Sequence, residues 1–97
     1  MKVRTKSGHV FNVYAVWWKG DKTYFALFPK QTVGLTAFGK EDVEIVDPAL
    51  GPDFVFASPG LNGFYHQYLI EHKLLDPLFD HDAEAYKKFA SLLGREP

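Results

Sequence analysis

The stretch from His9 to Trp18, His-Val-Phe-Asn-Val-Tyr-Ala-Val-Trp-Trp, restricts this chain more than any other feature. It is dense in β-branched and aromatic residues, which fit a pleated surface, so it predicts a long strand. Successive strand residues point to opposite faces. One face would carry Val10, Asn12, Tyr14, Val16 and Trp18, the other Phe11, Val13, Ala15 and Trp17. Both are largely apolar, and a strand that must remove both faces from water does not suit a one-sided sheet. It belongs in the middle of a curled sheet, with helices over one side and the curl itself over the other.

The flanking sequence supplies the rest of that sheet. Val3 and Thr5 begin a short strand, and Lys6-Ser7-Gly8 turns it into the long one. Lys19-Gly20-Asp21-Lys22 predicts a hairpin turn in which Gly20 takes a positive φ. Thr23 to Phe28 returns, and Pro29 ends that strand because it has no N–H for a ladder. Leu35 to Phe38 is a weaker strand after Gly34. Asp42 to Val46 sets Val43 and Ile45 against Glu44 until Asp47-Pro48 stops it. Short strands at this spacing form a curled antiparallel meander that can close into a small SH3-like barrel.

Residues 48–60, with Pro48, Gly51, Pro52, Pro59 and Gly60, read as a connector in which Phe54-Val55-Phe56 is a short edge strand. A helix is expected over 61–75, where Leu61, Phe64, Tyr65, Tyr68, His72 and Leu75 share one face, with Asp76-Pro77 ending it. A second is expected over 82–93. Asp80 or Asp82 would be its N-cap, Glu84 suits its first turn and Gly94 stands at the C′ position. The expected fold class is α+β in one domain over 1–97: a β-meander half (1–47), the connector (48–60) and a two-helix half (61–97) packed on the meander. Neither half alone offers enough core.

Composition narrows the function classes. There is no cysteine, which rules out a disulfide framework and a thiolate zinc site and fits a reducing compartment. The alternating N-terminal residues do not read as a signal peptide, and the longest apolar run, Tyr14 to Trp18, is far below the ~20 residues that span a bilayer. A cytoplasmic protein is the expectation, with no membrane partner. Charge is nearly balanced overall but not along the chain. Residues 1–40 carry seven bases against Asp21 alone, a net +6, and residues 41–97 carry eleven acids against four bases, a net −7.

Catalytic signatures are missing. His66, His72 and His81 with Asp76, Asp80 and Asp82 do not fall at the helical spacing of a metal site, so no metal or other cofactor is expected. Ser7, Ser58 and Ser91 lack the glycines of a nucleophile elbow. Gly60-Leu61-Asn62-Gly63 matches a KH-type loop by letter only. A helix-turn-helix over 61–93 would present Asp80, Asp82 and Glu84 to phosphates. The expectation is therefore a non-enzymatic protein-binding module, such as an inhibitor, immunity or accessory protein.

The alternative is single-stranded nucleic-acid binding, because the first forty residues interleave lysines with aromatics. The candidate binding residues are Tyr14, Trp17, Trp18, Lys19, Lys22 and Tyr24 around the hairpin. Trp17 and Trp18 must face opposite ways, so one of them can be an exposed anchor. Ile70 and Leu74, opposite the apolar stripe of the first expected helix, form a second candidate patch.

Overall fold

The structure, a computed structural model, describes residues 1–29 and 34–94; Lys30 and Arg95 of the charge pattern lie outside them. The architecture is α+β. Among the described residues seven strands form one antiparallel sheet: β1 (Lys2–Thr5), β2 (Val10–Lys19), β3 (Lys22–Leu27), β4 (Thr36–Gly39), β5 (Val43–Asp47), β6 (Phe54–Ala57) and β7 (Gly63–His66). Helices α1 (Gln67–Glu71), α2 (Leu75–Phe79) and α3 (Ala83–Leu92) follow.

The main strand order is β4-β3-β2-β1-β5, with β7 pairing β2 and β6 pairing β7. The long strand is the hub. From Val13 to Lys19, with Tyr14 left out of the register, it pairs β3 on one side. On the other side Val10 to Asn12 pair β1, and Ala15 to Trp17 pair β7. A one-turn 3₁₀ helix, Lys40–Asp42, joins β4 to β5, and these two strands do not pair, so the sheet curls without closing into a barrel.

Each face of β2 has its own core. On the inside of the curl Val3, Val13, Phe25 and Leu27 are buried, with Phe11, Val16, Phe38 and Val43 packed around them. On the other face the helices bury Ala15, Ala26, Phe28, Leu35 and Tyr65 together with their own Leu69, Leu74, Leu78, Phe89 and Ala90. The two-faced strand has the placement its sequence demands.

Its face assignment differs from strict alternation. Val13 pairs Leu27 and Ala15 pairs Ala26, so Tyr14 is an extra residue, a β-bulge. The bulge shifts the alternation by one. Phe11 and Val13 before it and Val16 after it lie on the inner face, while Tyr14, Ala15 and Trp17 pack on the helix side.

The helix expected over 61–75 does not form. Gly63 to His66 is a strand, and only Gln67 to Glu71 is helical before Lys73 takes a left-handed φ of 53°. Asp76-Pro77 does not end a helix but sits in the first turn of α2, where a missing N–H costs little. Gly63 explains the local choice: a Cβ there would lie 2.3 Å from the Val16 carbonyl oxygen, so only glycine lets β7 approach β2. The second expected helix is α3. Asp82 caps it by accepting from the Ala85 N–H at 2.9 Å, and Gly94 follows with φ 74°.

Candidate functional site

Trp17 and Trp18 diverge onto different faces of the sheet. Trp17 stands directly opposite Tyr24 and stacks on it at 5.8 Å, with Phe79 of α2 meeting it edge-on at 5.6 Å. It is half-buried under the helices. Trp18 lies on the uncovered face, beside Phe64 at 6.2 Å and Phe56 at 6.4 Å, and those two rings are 5.6 Å apart. The three are 36%, 37% and 60% exposed.

Strand register builds this ledge. Phe56 is directly opposite Phe64, Phe64 opposite Val16, Val16 opposite Phe25 and Phe25 opposite Phe38. One apolar row thus crosses β6, β7, β2, β3 and β4. β1 and β5 fold over the row where it passes Phe25, which is 2% exposed. β1 covers only the N-terminal part of β2, and on the side where β7 and β6 continue the sheet no described element covers it. The ledge is the uncovered end of an otherwise packed inner face.

The hairpin tip adds charge to this end. Gly20, with φ 62°, stands at the first central position of the two-residue turn, and Lys19 and Lys22 face each other across it, both exposed. Neither makes an ion pair among the described residues. Elsewhere two of the bases of residues 1–40 meet acids of residues 41–97. Arg4 meets Glu44 at 2.7 Å and Lys6 meets Asp42 at 3.7 Å, because β5 pairs with β1. Arg4 and Lys6 thus each have an acid beside them.

The remaining candidates lie apart from the ledge. Tyr14 packs at 5.5 Å against Phe89 and 6.0 Å against Phe28, on the helix side where the bulge directs it. Tyr24 belongs with Trp17. Leu74 is 5% exposed and Ile70 is half-buried against the same core. Their expected exposure assumed a continuous helix, and the break after Glu71 turns Leu74 inward. Phe56 and Phe64 were not among the sequence candidates. The signal for them was present: Phe-Val-Phe-Ala, then Ser-Pro-Gly-Leu-Asn, then Gly-Phe-Tyr-His is two aromatic runs around a five-residue turn segment, the pattern of a hairpin.

On the helix side, Trp17, Pro59, Leu61, Tyr65, Leu75 and Phe79 line an apolar cleft of about 320 Å³ with Asp76 at its edge. The two groups with shifted pKa values serve the fold nearby. The buried Tyr65 hydroxyl, its pKa raised by desolvation, donates to the Leu61 carbonyl at 2.8 Å. His66 caps α1, its Nδ1 accepting from the Tyr68 N–H at 3.2 Å. Its ring sits among Tyr14, Phe54, Tyr68 and Phe89. Burial lowers its pKa against the opposing pull of Asp53 and Glu71. Among the described residues no group of three or more His, Asp or Glu could hold a metal ion, and no helix is long and apolar enough to cross a membrane.

No family model matches the chain, and neither a curated protein nor a solved structure matches it.

Proposed function

We propose that this chain is a cytoplasmic protein-binding domain that acts without chemistry of its own, as an inhibitor, immunity or accessory protein does. It would grip its partner through Trp18, Phe56 and Phe64. The observation that carries the reading is this uncovered ledge of three mutually contacting aromatic rings. Large rigid aromatics exposed side by side lose little entropy on binding and bury much area, which is why they dominate interface energies. Lys19, next to Trp18 in the chain, and Lys22, opposite Lys19, stand at the hairpin tip and are directed by strand alternation to the other face, so a partner that reaches around the tip would meet them with carboxylates. Burial accounts for both shifted pKa values among the described residues, and each group is engaged in a structural bond, Tyr65 to the Leu61 carbonyl and His66 to the Tyr68 N–H, which supports a non-catalytic reading.

A second reading, binding of single-stranded nucleic acid, is favoured by the same two lysines beside Trp18. The engagement of Arg4 and Lys6 by acids weakens it. One experiment separates the two. A displayed library of random peptides is selected on the protein, and a labelled oligothymidylate is titrated in parallel at low and physiological salt. The protein-binding reading expects enriched peptides that combine aromatic or aliphatic residues with Asp or Glu. Trp18→Ala should weaken their binding at least tenfold, and paired Lys19→Glu and Lys22→Glu should weaken it by a smaller factor. Salt-sensitive oligonucleotide binding without peptide enrichment would overturn the first reading in favour of the second.

A further inference from the structure

We infer that the free edge of β6 is a self-association site, where a second copy of this chain adds by antiparallel strand pairing and joins the two sheets and their aromatic ledges. The inference goes beyond the proposed function, because it needs no other partner to occupy the ledge.

Among the described residues the sheet has three edges, at β4, β5 and β6. A bare strand edge presents unpaired N–H and C=O groups, and proteins normally blunt it with charges or proline. β5 is guarded by Glu44 and Asp47 within the strand and by Pro48 after it. β4 runs directly into the charged turn Lys40-Glu41-Asp42. β6 has no charge or proline within the strand. Asp53 stands directly before it and Pro52 and Pro59 lie two residues from its ends, and what sets it apart is exposed apolar surface uninterrupted by charge. Its residues are Phe-Val-Phe-Ala, its only strand partner among the described residues is β7, and both its faces show apolar surface: Phe56 on the ledge side and Val55, 37% exposed, on the other.

The charge around this edge points to a second copy as the occupant. From Pro48 to Ile70 the only formally charged side chain is Asp53. An antiparallel pair related by a two-fold axis carries the two Asp53 carboxylates to opposite ends of the joint, so like charges do not meet. The chain's net charge of −1 leaves little repulsion between whole copies. With the axis perpendicular to the sheet, both ledges stay on one face. A register that sets Phe56 opposite its counterpart, or opposite Phe54 of the second copy, satisfies this, because directly opposed residues share a face. Trp18, Phe64 and Phe56 would then continue into the same three rings of the second copy. Such a joint is isologous and closes at two chains.

Sedimentation equilibrium tests this with the full chain. Four-residue strands make a small interface, and small interfaces are weak, so the useful range is from ~10 µM to ~1 mM. The weight-average mass should rise with concentration from 11.0 kDa toward twice that value and stop there. Val55→Lys sets a charge on the edge, away from the ledge, and should hold the mass at the monomer value throughout with an unchanged melting temperature. Amides of β6 should gain exchange protection with concentration in the unaltered protein only. A monomer mass across the whole range, dimerisation by Val55→Lys equal to that of the unaltered protein, or growth beyond two copies would each overturn the inference. If Val55→Lys fails to fold, Val55→Glu gives the same reading from the same position, away from the ledge. Monomeric Val55→Lys should still bind ledge-directed peptides, so failure there would count against the proposed function and not against this edge.

Discussion

Trp17 and Trp18 are the same residue type, adjacent on one strand, and they meet opposite fates. Trp17 is held between Tyr24 and Phe79 beneath the helices, while Trp18 shares an uncovered ledge with Phe56 and Phe64. The pleat of β2 separates them, but what covers each is set by elements distant in the sequence. The helices return over one face. On the other, β1 and β5 cover only the part of the row that passes the N-terminal portion of β2. Exposure of a large side chain is therefore a property of the layer above it, and a site arises where a two-faced sheet has more apolar area than its own chain can cover.

The comparison breaks first if the helix layer is loose. Phe89 is 0% exposed and packs its ring at 5.1 Å from Phe28. Phe89→Ala should cost ~3–5 kcal/mol in urea unfolding, the usual penalty for emptying an aromatic site in a core. A loss under ~1 kcal/mol would mean that the helices do not firmly cover the sheet.

The two tryptophans sharpen the contrast. Trp17→Ala should cost ~2–4 kcal/mol, because it leaves a gap between α2 and the sheet. Trp18→Ala should stay within ~1 kcal/mol, since it removes surface that is already partly wet. Equal losses at both positions would erase the distinction between a covered and an open face.

The smallest effect concerns His66, at the helix-side boundary. Its folded pKa lies below the ordinary value near 6.5, so the unfolded chain binds more protons and stability rises with pH. The neutral ring's contribution is complete above about pH 6.5 and declines as pH falls from there to the folded pKa, at no more than about 1.4 kcal/mol per pH unit. Protonation also removes the Nδ1 acceptor that caps α1. His66→Asn keeps a capping oxygen and should flatten this part of the profile, as read from melting temperatures between pH 5 and 8 (roughly the range in which histidine titrates). An unchanged slope in His66→Asn would show that another group carries the pH dependence.

Much of the fold was legible because its determinants are local. The hairpin at Gly20, the stop at Pro29, the cap at Asp82 and the glycine at 94 each act on residues within a turn, and each stands where the sequence places it. The segment 61–75 was not legible in the same way. Its aromatic spacing fits a helix, but an open side of β2 offers Ala15 to Trp17 as a ladder, and Gly63 admits the close approach. Non-local pairing outweighs a weak local preference. The bulge at Tyr14 is likewise invisible without the partner strand, and it puts Tyr14 on the same face as Tyr24's partner Trp17, where strict alternation would separate them. That is why Tyr14, Tyr24, Ile70 and Leu74 do not join Trp18, and why Phe56 and Phe64 do.

By itself the sequence determined that β2 has two apolar faces, that its tryptophans diverge and that a lysine-flanked turn stands beside them, because strand alternation and turn chemistry depend only on near neighbours. Only the tertiary structure decided which tryptophan stays open, which aromatics stand beside it and which lysines keep their charge unpaired. Those outcomes depend on β5 meeting β1, β7 meeting β2 and the helices choosing a face, and long-range contacts of that kind set burial and ion pairing.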